Sequence, residues 1–336
     1  MVDEVEICVV GMGRAGKIHA ENFAEKIKHA ELNALVDPIE SICKESGEEL
    51  DVPYYTDFGD ALKKEDFDAV VICTPSFTHA SLITDAAHSG KHILCEKPLA
   101  LNLKDAASSE EAAKRAGVKL QIGYMRRFDK YYAEAKNRVA AKEIGKPLIF
   151  RSTARDPSMP SGWAADPALS GGIFCDMLSH DFDAARWLMD KEVRSVYARG
   201  SASIYEEVKQ KGDLDMVAVT LTFDEEIGLI EGCRKCTYGY DLRTEIVGTE
   251  GTITIGNPYD LNLTVGKAGG VIPKEAHWFW ERFADAFLEE DKHFIDCIKD
   301  GKEPLVSGHD GIKALEIALA CGESIKSNRP VSVGGS

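Results

Sequence analysis

Val5-Glu6-Ile7-Cys8-Val9-Val10 runs straight into Gly11-Met12-Gly13-Arg14-Ala15-Gly16, a β-branched run followed by G-x-G-x-x-G. Ala20, Phe23, Ala24 and Ile27 then recur at helical spacing, and Leu32-Asn33-Ala34-Leu35-Val36 is a second run that ends on Asp37. Gly11 permits a tight turn, Gly13 lets a pyrophosphate approach the main chain, and Gly16 lets the helix sit close to the strand. The helix N-terminus offers open N–H groups and partial positive charge to the phosphates. Asp37 stands about 20 residues on, where a carboxylate accepts from the ribose hydroxyls of NAD. Glycine-rich turns are common, so the bland alternative is an ordinary βα turn. Strand, glycines, helix, strand and acid in register favour a dinucleotide site.

Working outward, strands and helices alternate. A polar helix runs to about Leu50, the stretch Val52–Asp57 reads as a loop, and a short helix spans Phe58 to Lys64. Asp68–Thr74 is a continuous apolar run closed by Pro75, as in a strand buried on both faces of a parallel sheet. A helix carrying Ala80, Ile83 and Ala87 ends near Gly90, the strand His92–Cys95 leads into Glu96-Lys97-Pro98, and a helix over Leu103–Ala116 ends at Gly117. Val118–Gly123 completes a six-stranded, doubly wound sheet, giving an α/β Rossmann domain over residues 1–124.

Residues 125–336 follow a different pattern. Val217, Val219, Leu221 and Phe223 alternate with Ala218, Thr220 and Thr222, the period of a half-exposed antiparallel strand. Short strands are expected near 193–201, 228–234, 243–248, 252–256 and Leu261–Val265, with helices over 130–141, 175–189, 284–299 and 311–326. This is an α+β domain with a large, mostly antiparallel open sheet, and its uncovered face calls for a second subunit.

The totals exclude several classes. A chain of 336 residues with a net charge of −16 has the size for two cores and repels nucleic acid and anionic membranes. No apolar run reaches the length of a membrane span, and Met1-Val2-Asp3-Glu4 lacks the basic and apolar regions of a signal peptide, so a cytoplasmic location is expected. Of nine cysteines, Cys8, Cys73 and Cys95 sit in apolar strands. Cys233-Arg234-Lys235-Cys236 lacks the partners of a zinc set, and no metal site is expected. Trp278-Phe279-Trp280 has only Lys274 and Arg282 as basic neighbours, which suits a core or subunit interface better than a base-stacking platform.

Ligands of open α/β sheets bind beyond the C-terminal strand ends, where Thr74-Pro75-Ser76-Phe77-Thr78-His79 and Glu96-Lys97-Pro98 emerge. An ammonium at Lys97, beside a nicotinamide, can bond a hydroxyl and stabilise the alkoxide that forms as hydride leaves. Asp176 and His180, four apart in a segment opened by Gly171-Gly172, share one face of a helix. A carboxylate beside an imidazole raises its proton affinity and suits a general base for an alcohol; the plain alternative is a pair that stabilises its own helix. Asp37 would repel a 2′-phosphate, and residues 38–42 offer no lysine or arginine, so NAD is favoured over NADP.

These motifs resemble the glucose–fructose oxidoreductase/inositol dehydrogenase/rhizopine-catabolism (Gfo/Idh/MocA) family over nearly the whole chain. The glycine fingerprint, Glu96-Lys97-Pro98 and the Asp176/His180 segment carry the likeness. Gly123-Tyr124-Met125-Arg126-Arg127-Phe128-Asp129 and Thr237-Tyr238-Gly239-Tyr240-Asp241 are similar to the inositol dehydrogenase branch. The resemblance implies NAD-dependent oxidation of a ring polyol to a ketone in a homotetramer built through the second-domain sheets. It implies that Lys97, Asp176 and His180 form the catalytic set, and that Arg127, Asp156, Tyr238 and Tyr240 bind substrate hydroxyls. Gly11–Gly16, Asp37, Thr74, Pro75, Ser76, His79, Glu96 and Lys97 would line the cofactor. Thr-Pro-Ser stands where relatives often have Thr-Pro-Asn, and the loop from Arg155 to Pro160 follows the branch only loosely. A dehydrogenase for another inositol isomer or a pyranose is the nearest alternative. A non-catalytic NAD-binding regulator is the alternative of a different class.

Overall fold

The computed structural model describes residues 4–256 and 278–334. Contacts divide the chain into two compact units, one made of residues 1–128 with 284–312, the other of 129–283 with 313–336.

In the first unit β1 (Val5–Val10) leads through the glycine turn into α1 (Arg14–Glu25), then β2 (Ala30–Val36) and α2 (Glu40–Leu50). There follow β3 (Tyr54–Tyr55), α3 (Phe58–Lys64), β4 (Ala69–Ile72), α4 (His79–His88), β5 (His92–Glu96), α5 (Leu103–Ala116) and β6 (Leu120–Gly123). All five pairings are parallel, in the order β3-β2-β1-β4-β5-β6. The sheet is the doubly wound one expected; the stretch read as a loop at 52–57 supplies its edge strand, two residues long. Strand order reverses between β1 and β4, and such a switch point opens a crevice beyond the strand ends. Local signals act as their chemistry suggests. Asn102 caps α5 by accepting from the Asp105 main-chain N–H, and Gly117 ends it at φ 70°.

The second unit contains α6 (Lys130–Ala140), β7 (Pro147–Arg155), the short α7 (Pro167–Ser170), a π-helical turn over Ile173–Met177, and α8 (Ser179–Met189). Next come β8 (Ser195–Ser201), α9 (Glu206–Gln210), β9 (Met216–Thr222), β10 (Ile227–Cys233), β11 (Asp241–Gly248), β12 (Thr252–Ile255) and α10 (Phe279–Arg282). The chain closes with α11 (Ala284–Asp300), α12 (Gly308–Ser327) and β13 (Val331–Ser332). Seven strands pair in the order β12-β11-β7-β10-β9-β8-β13, antiparallel except for the parallel pair β7 and β10. Val217, Val219, Leu221 and Ile230 point to the buried face, while Met216, Ile227 and Leu229 alternate onto the exposed one. β7 escaped the sequence because its inward positions are Phe150, Ser152 and Ala154, a weak apolar pattern. The strand expected at Leu261–Val265 lies outside the described residues.

The helix expected at 284–299 forms as α11, but it packs in the first unit. Phe294 and Ile295 join Val5, Ile7, Val9, Phe23 and Leu94 in one apolar cluster. That return across the sequence leaves no local trace, so a boundary drawn at residue 124 does not contain it.

Candidate active site

The glycine turn has the shape of a phosphate cradle. Gly11 sits at φ 95°, where a Cβ would lie 2.7 Å from the Cys73 and Thr74 main chain. A Cβ on Gly16 would lie 1.8 Å from the Gly11 carbonyl oxygen, whereas one on Gly13 would meet nothing within 4 Å. Gly13 also opens α1, and no side chain caps that N-terminus. Exposed Arg14 and half-buried Ala15 occupy the first turn, and buried Met12 stands between the glycines. A dinucleotide fits this arrangement: open space at Gly13, main-chain donors at the helix start, and a carboxylate at the next strand end.

That carboxylate braces the turn. Asp37 Oδ2 accepts from the Met12 main-chain N–H at 2.8 Å and Oδ1 from that of Ile39 at 2.9 Å. Each oxygen keeps a lone pair for a ribose hydroxyl. Replacing Asp37 with serine therefore removes both a charged acceptor and a brace of the turn. We expect Asp37→Ser to lower kcat/KM for NAD about ten- to a hundredfold, narrowing the preference over NADP. Steady-state kinetics with both coenzymes checks this; an unchanged NAD-to-NADP ratio would refute the role of Asp37.

Two loops leave the neighbouring strand ends of the same unit. Thr74 Oγ1 lies 2.6 Å from Thr78 Oγ1, and buried Ser76 starts a single 3₁₀ turn after Pro75. Expected to touch the cofactor, His79 is 1% exposed, with Nδ1 2.7 Å from the Pro98 carbonyl oxygen and Nε2 2.8 Å from that of Thr74. Burial pulls its pKa down, against two carbonyls that favour protons on the ring. Glu96 likewise turns to the protein: Oε2 accepts from the Lys97 main-chain N–H at 3.1 Å, and Oε1 lies 3.5 Å from His19 Nε2. Lys97 itself is half-buried immediately beyond β5.

Arg127, expected to bind a substrate hydroxyl, follows β6. It is 6% exposed and donates to the Leu305 carbonyl at 3.0 Å and to Asp310 Oδ1 at 2.8 Å, bracing the residues after β6 within the first unit.

The second unit carries Asp176 and His180, on an irregular element. Asp176 lies in the π-helical turn, whose Leu178 N–H donates to the Ile173 carbonyl at 3.0 Å, and His180 lies on α8. They do not share one regular helix face, as the four-residue spacing suggested. Gly172 at φ 67° opens the turn, and from 40 residues on Asp213 Oδ1 accepts the Ile173 N–H at 3.2 Å. Buried Arg234 bonds Asp213 and places Nη2 3.7 Å from Asp176 Oδ2. His180 is 9% exposed. A π-turn at this point is a common way of re-aiming a functional side chain.

Of the expected hydroxyl binders here, Asp156 follows β7, its N–H bonded to the Cys233 carbonyl at 2.9 Å. Tyr238 donates to Asp241 Oδ2 at 2.7 Å and accepts from Arg155. Tyr240 packs 6.2 Å from Trp278, in a half-buried aromatic cluster with Trp280 stacked on Trp278 at 5.0 Å. Sequence reasoning missed Asp213 and Arg234, whose signal is only a buried charge in a strand-rich stretch.

This dinucleotide-binding α/β unit joined to a mixed-sheet unit defines a class of oxidoreductase, and comparison with known proteins makes it specific. The model described as an oxidoreductase family with an NAD-binding Rossmann fold matches residues 5–124, and that of the GFO/IDH/MocA C-terminal domain matches 132–254. The chain is 39% identical to the myo-inositol 2-dehydrogenase of Thermotoga maritima, over 98% of each chain. It is 37% identical to the scyllo-inositol 2-dehydrogenase (NAD(+)) of Bacillus subtilis, over 99% of this chain and 97% of that one. The solved structure of scyllo-inositol dehydrogenase from Lactobacillus casei with bound cofactor NAD(H) and scyllo-inositol matches with a TM-score of 0.90. Identity there is 35%, over 99% of this chain and all of that one. The chain belongs to the GFO/IDH/MocA oxidoreductase family, as its motifs implied.

Proposed function

We propose that this protein is an NAD-dependent inositol 2-dehydrogenase that oxidises a ring secondary alcohol of myo-inositol to the ketone. What supports this is a glycine turn whose open space and main-chain donors suit a pyrophosphate, in a chain of this family that also carries Lys97 after β5 and Asp176 and His180 in its second unit. NAD, when bound, supplies the hydride acceptor at nicotinamide C4. His180 takes the hydroxyl proton as hydride departs, work that contributes about 10² to 10⁴ in rate. Asp176, beside the buried Arg234, holds and tunes the imidazole. Lys97 bonds the same oxygen and stabilises its developing negative charge. Arg127, Asp156, Tyr238 and Tyr240 are the proposed hydroxyl partners, since a polyol needs several fixed donors and acceptors.

scyllo-Inositol is the second reading, favoured by the likeness to the Bacillus subtilis and Lactobacillus casei dehydrogenases that carry that isomer in their names. A panel of inositols and pyranoses with NAD, followed by NADH absorbance, decides between them. Turnover of pyranoses alone would reject the inositol assignment, and no turnover of any would favour the regulator. The exposed Met216, Ile227 and Leu229 face suits a second copy of the chain, and we propose a homotetramer through this sheet. Light scattering at assay concentration checks it, a monomer being the contrary result. Among the described residues no helix is long and apolar enough to cross a membrane, and a cytoplasmic location, testable by cell fractionation, fits an NAD-linked activity.

A further inference from the structure

Two buried histidines flank the segment that carries Lys97. His79, on α4, sits with Nδ1 2.7 Å from the Pro98 carbonyl oxygen and Nε2 2.8 Å from that of Thr74. A carbonyl only accepts, and a neutral imidazole carries one N–H, so the tautomer decides which of the two carbonyls the ring donates to. His19, on α1, is wholly buried, its ring edge-on to Phe287 at 5.5 Å. Its Nδ1 lies 2.6 Å from Asp291 Oδ1, while Asn22 Nδ2 donates to the other Asp291 oxygen at 2.8 Å. On its far side Nε2 stands 3.5 Å from Glu96 Oε1, and Glu96 Oε2 accepts the Lys97 main-chain N–H at 3.1 Å.

We propose that His79 and His19 are positioning residues that hold Glu96-Lys97-Pro98 from its two ends, His79 through the Pro98 carbonyl and His19 through the Glu96 carboxylate. The inference rests on Lys97 acting at the reacting oxygen. Neither imidazole is open to a substrate, so each acts through what it holds. Ionisable groups in a core are costly, and apolar side chains would fill the same volume at less expense to the fold. These instead converge on one short segment. Charge supports the same assignment: burial opposes a proton on His19, yet Asp291 and Glu96 outweigh it and raise its pKa well above the ordinary value. Burial would raise the Glu96 pKa, but His19 and Lys97 bring it below the usual carboxylate range. The His19–Glu96 contact, at 3.5 Å, is an electrostatic one, and it favours one orientation of the Glu96 carboxylate. A lysine displaced by about 1 Å can lose as much as a hundredfold in rate without any loss of fold.

The amide side chains separate positioning from mere packing. Asparagine places a nitrogen near the imidazole Nδ1 position, and glutamine near Nε2. At position 79 the Nδ1 contact faces Pro98; at position 19 the Nε2 contact faces Glu96. The full-length enzyme is assayed with NAD and with myo- and scyllo-inositol, and NADH binding is read by fluorescence. The expected pattern is crossed: His79→Asn and His19→Gln keep most of kcat, while His79→Gln and His19→Asn lose roughly ten- to a hundredfold, with NADH affinity little changed. Both members of each pair lose the ring, so a general packing role would move them together. In a Lys97→Met background the costly substitutions should lower the residual rate no further. Equal kcat for the two amides at each position, or the same factor lost with and without Lys97, overturns the inference and leaves the catalytic role of Lys97 standing. A Lys97→Met enzyme with unaltered kcat overturns both.

Discussion

Lys97→Ala is expected to lower kcat for inositol oxidation by about two to three orders of magnitude while leaving NADH affinity nearly unchanged. The ammonium has its largest effect when the alcohol oxygen gains negative charge, so its loss is felt in the transition state and little in the ground state. Lys97 follows β5, outside the glycine cradle and away from Asp37, and its removal leaves both intact. Stopped-flow or steady-state NADH formation at saturating polyol gives kcat, and fluorescence titration gives coenzyme affinity. Equal losses in kcat and in NADH affinity would mean that Lys97 binds coenzyme and has no special role at the oxygen.

The second large effect falls on the glycine turn. Gly16→Ala puts a methyl group 1.8 Å from the Gly11 carbonyl oxygen and 2.9 Å from its carbon, both main-chain atoms that no rotamer change can move. Relief requires α1 to withdraw from the end of β1, which carries the core residues Val9 and Phe23 with it. A loss on the order of 3 kcal/mol in stability is expected, together with loss of NADH binding. Gly13→Ala is the contrast, because its methyl group meets nothing within 4 Å. That variant should denature in urea at the wild-type midpoint and still bind NADH weakly, since the methyl group occupies the space a pyrophosphate needs. Wild-type NADH affinity in Gly13→Ala would remove the pyrophosphate from this turn.

These contrasts also explain what the sequence could disclose. The cradle was legible because all its parts lie within one βαβ unit, and each part is a residue type with a single physical reason to be there. Asp37 illustrates the limit: its place at the strand end could be read, but its two main-chain bonds to Met12 and Ile39 could not. The distance of Asp176 from His180 in sequence suggested one helix face, yet Gly172 and the Asp213 contact turn the segment into a π-helical step. His79 had the polarity of a ligand contact, but its burial between two carbonyls could not be read. Arg127 could be read as a charge near the site, but its bond to Asp310, 183 residues on, could not. His19 and Asp291 are 272 residues apart, so nothing local marks them as partners. Motifs with a local mechanism can be read from sequence, whereas groups joined by long-range burial emerge only when the chain is folded.

The central claim is that the Lys97 ammonium and the His180 imidazole serve one alcohol oxygen while its carbon faces the nicotinamide. A crystal structure of the ternary complex with NAD and myo-inositol measures this directly. Both nitrogens are expected within about 3 Å of a single hydroxyl oxygen, on the ring carbon nearest nicotinamide C4. A polyol held with that oxygen reached by only one of the two side chains, the other more than about 5 Å away with no bridging water, would contradict the account.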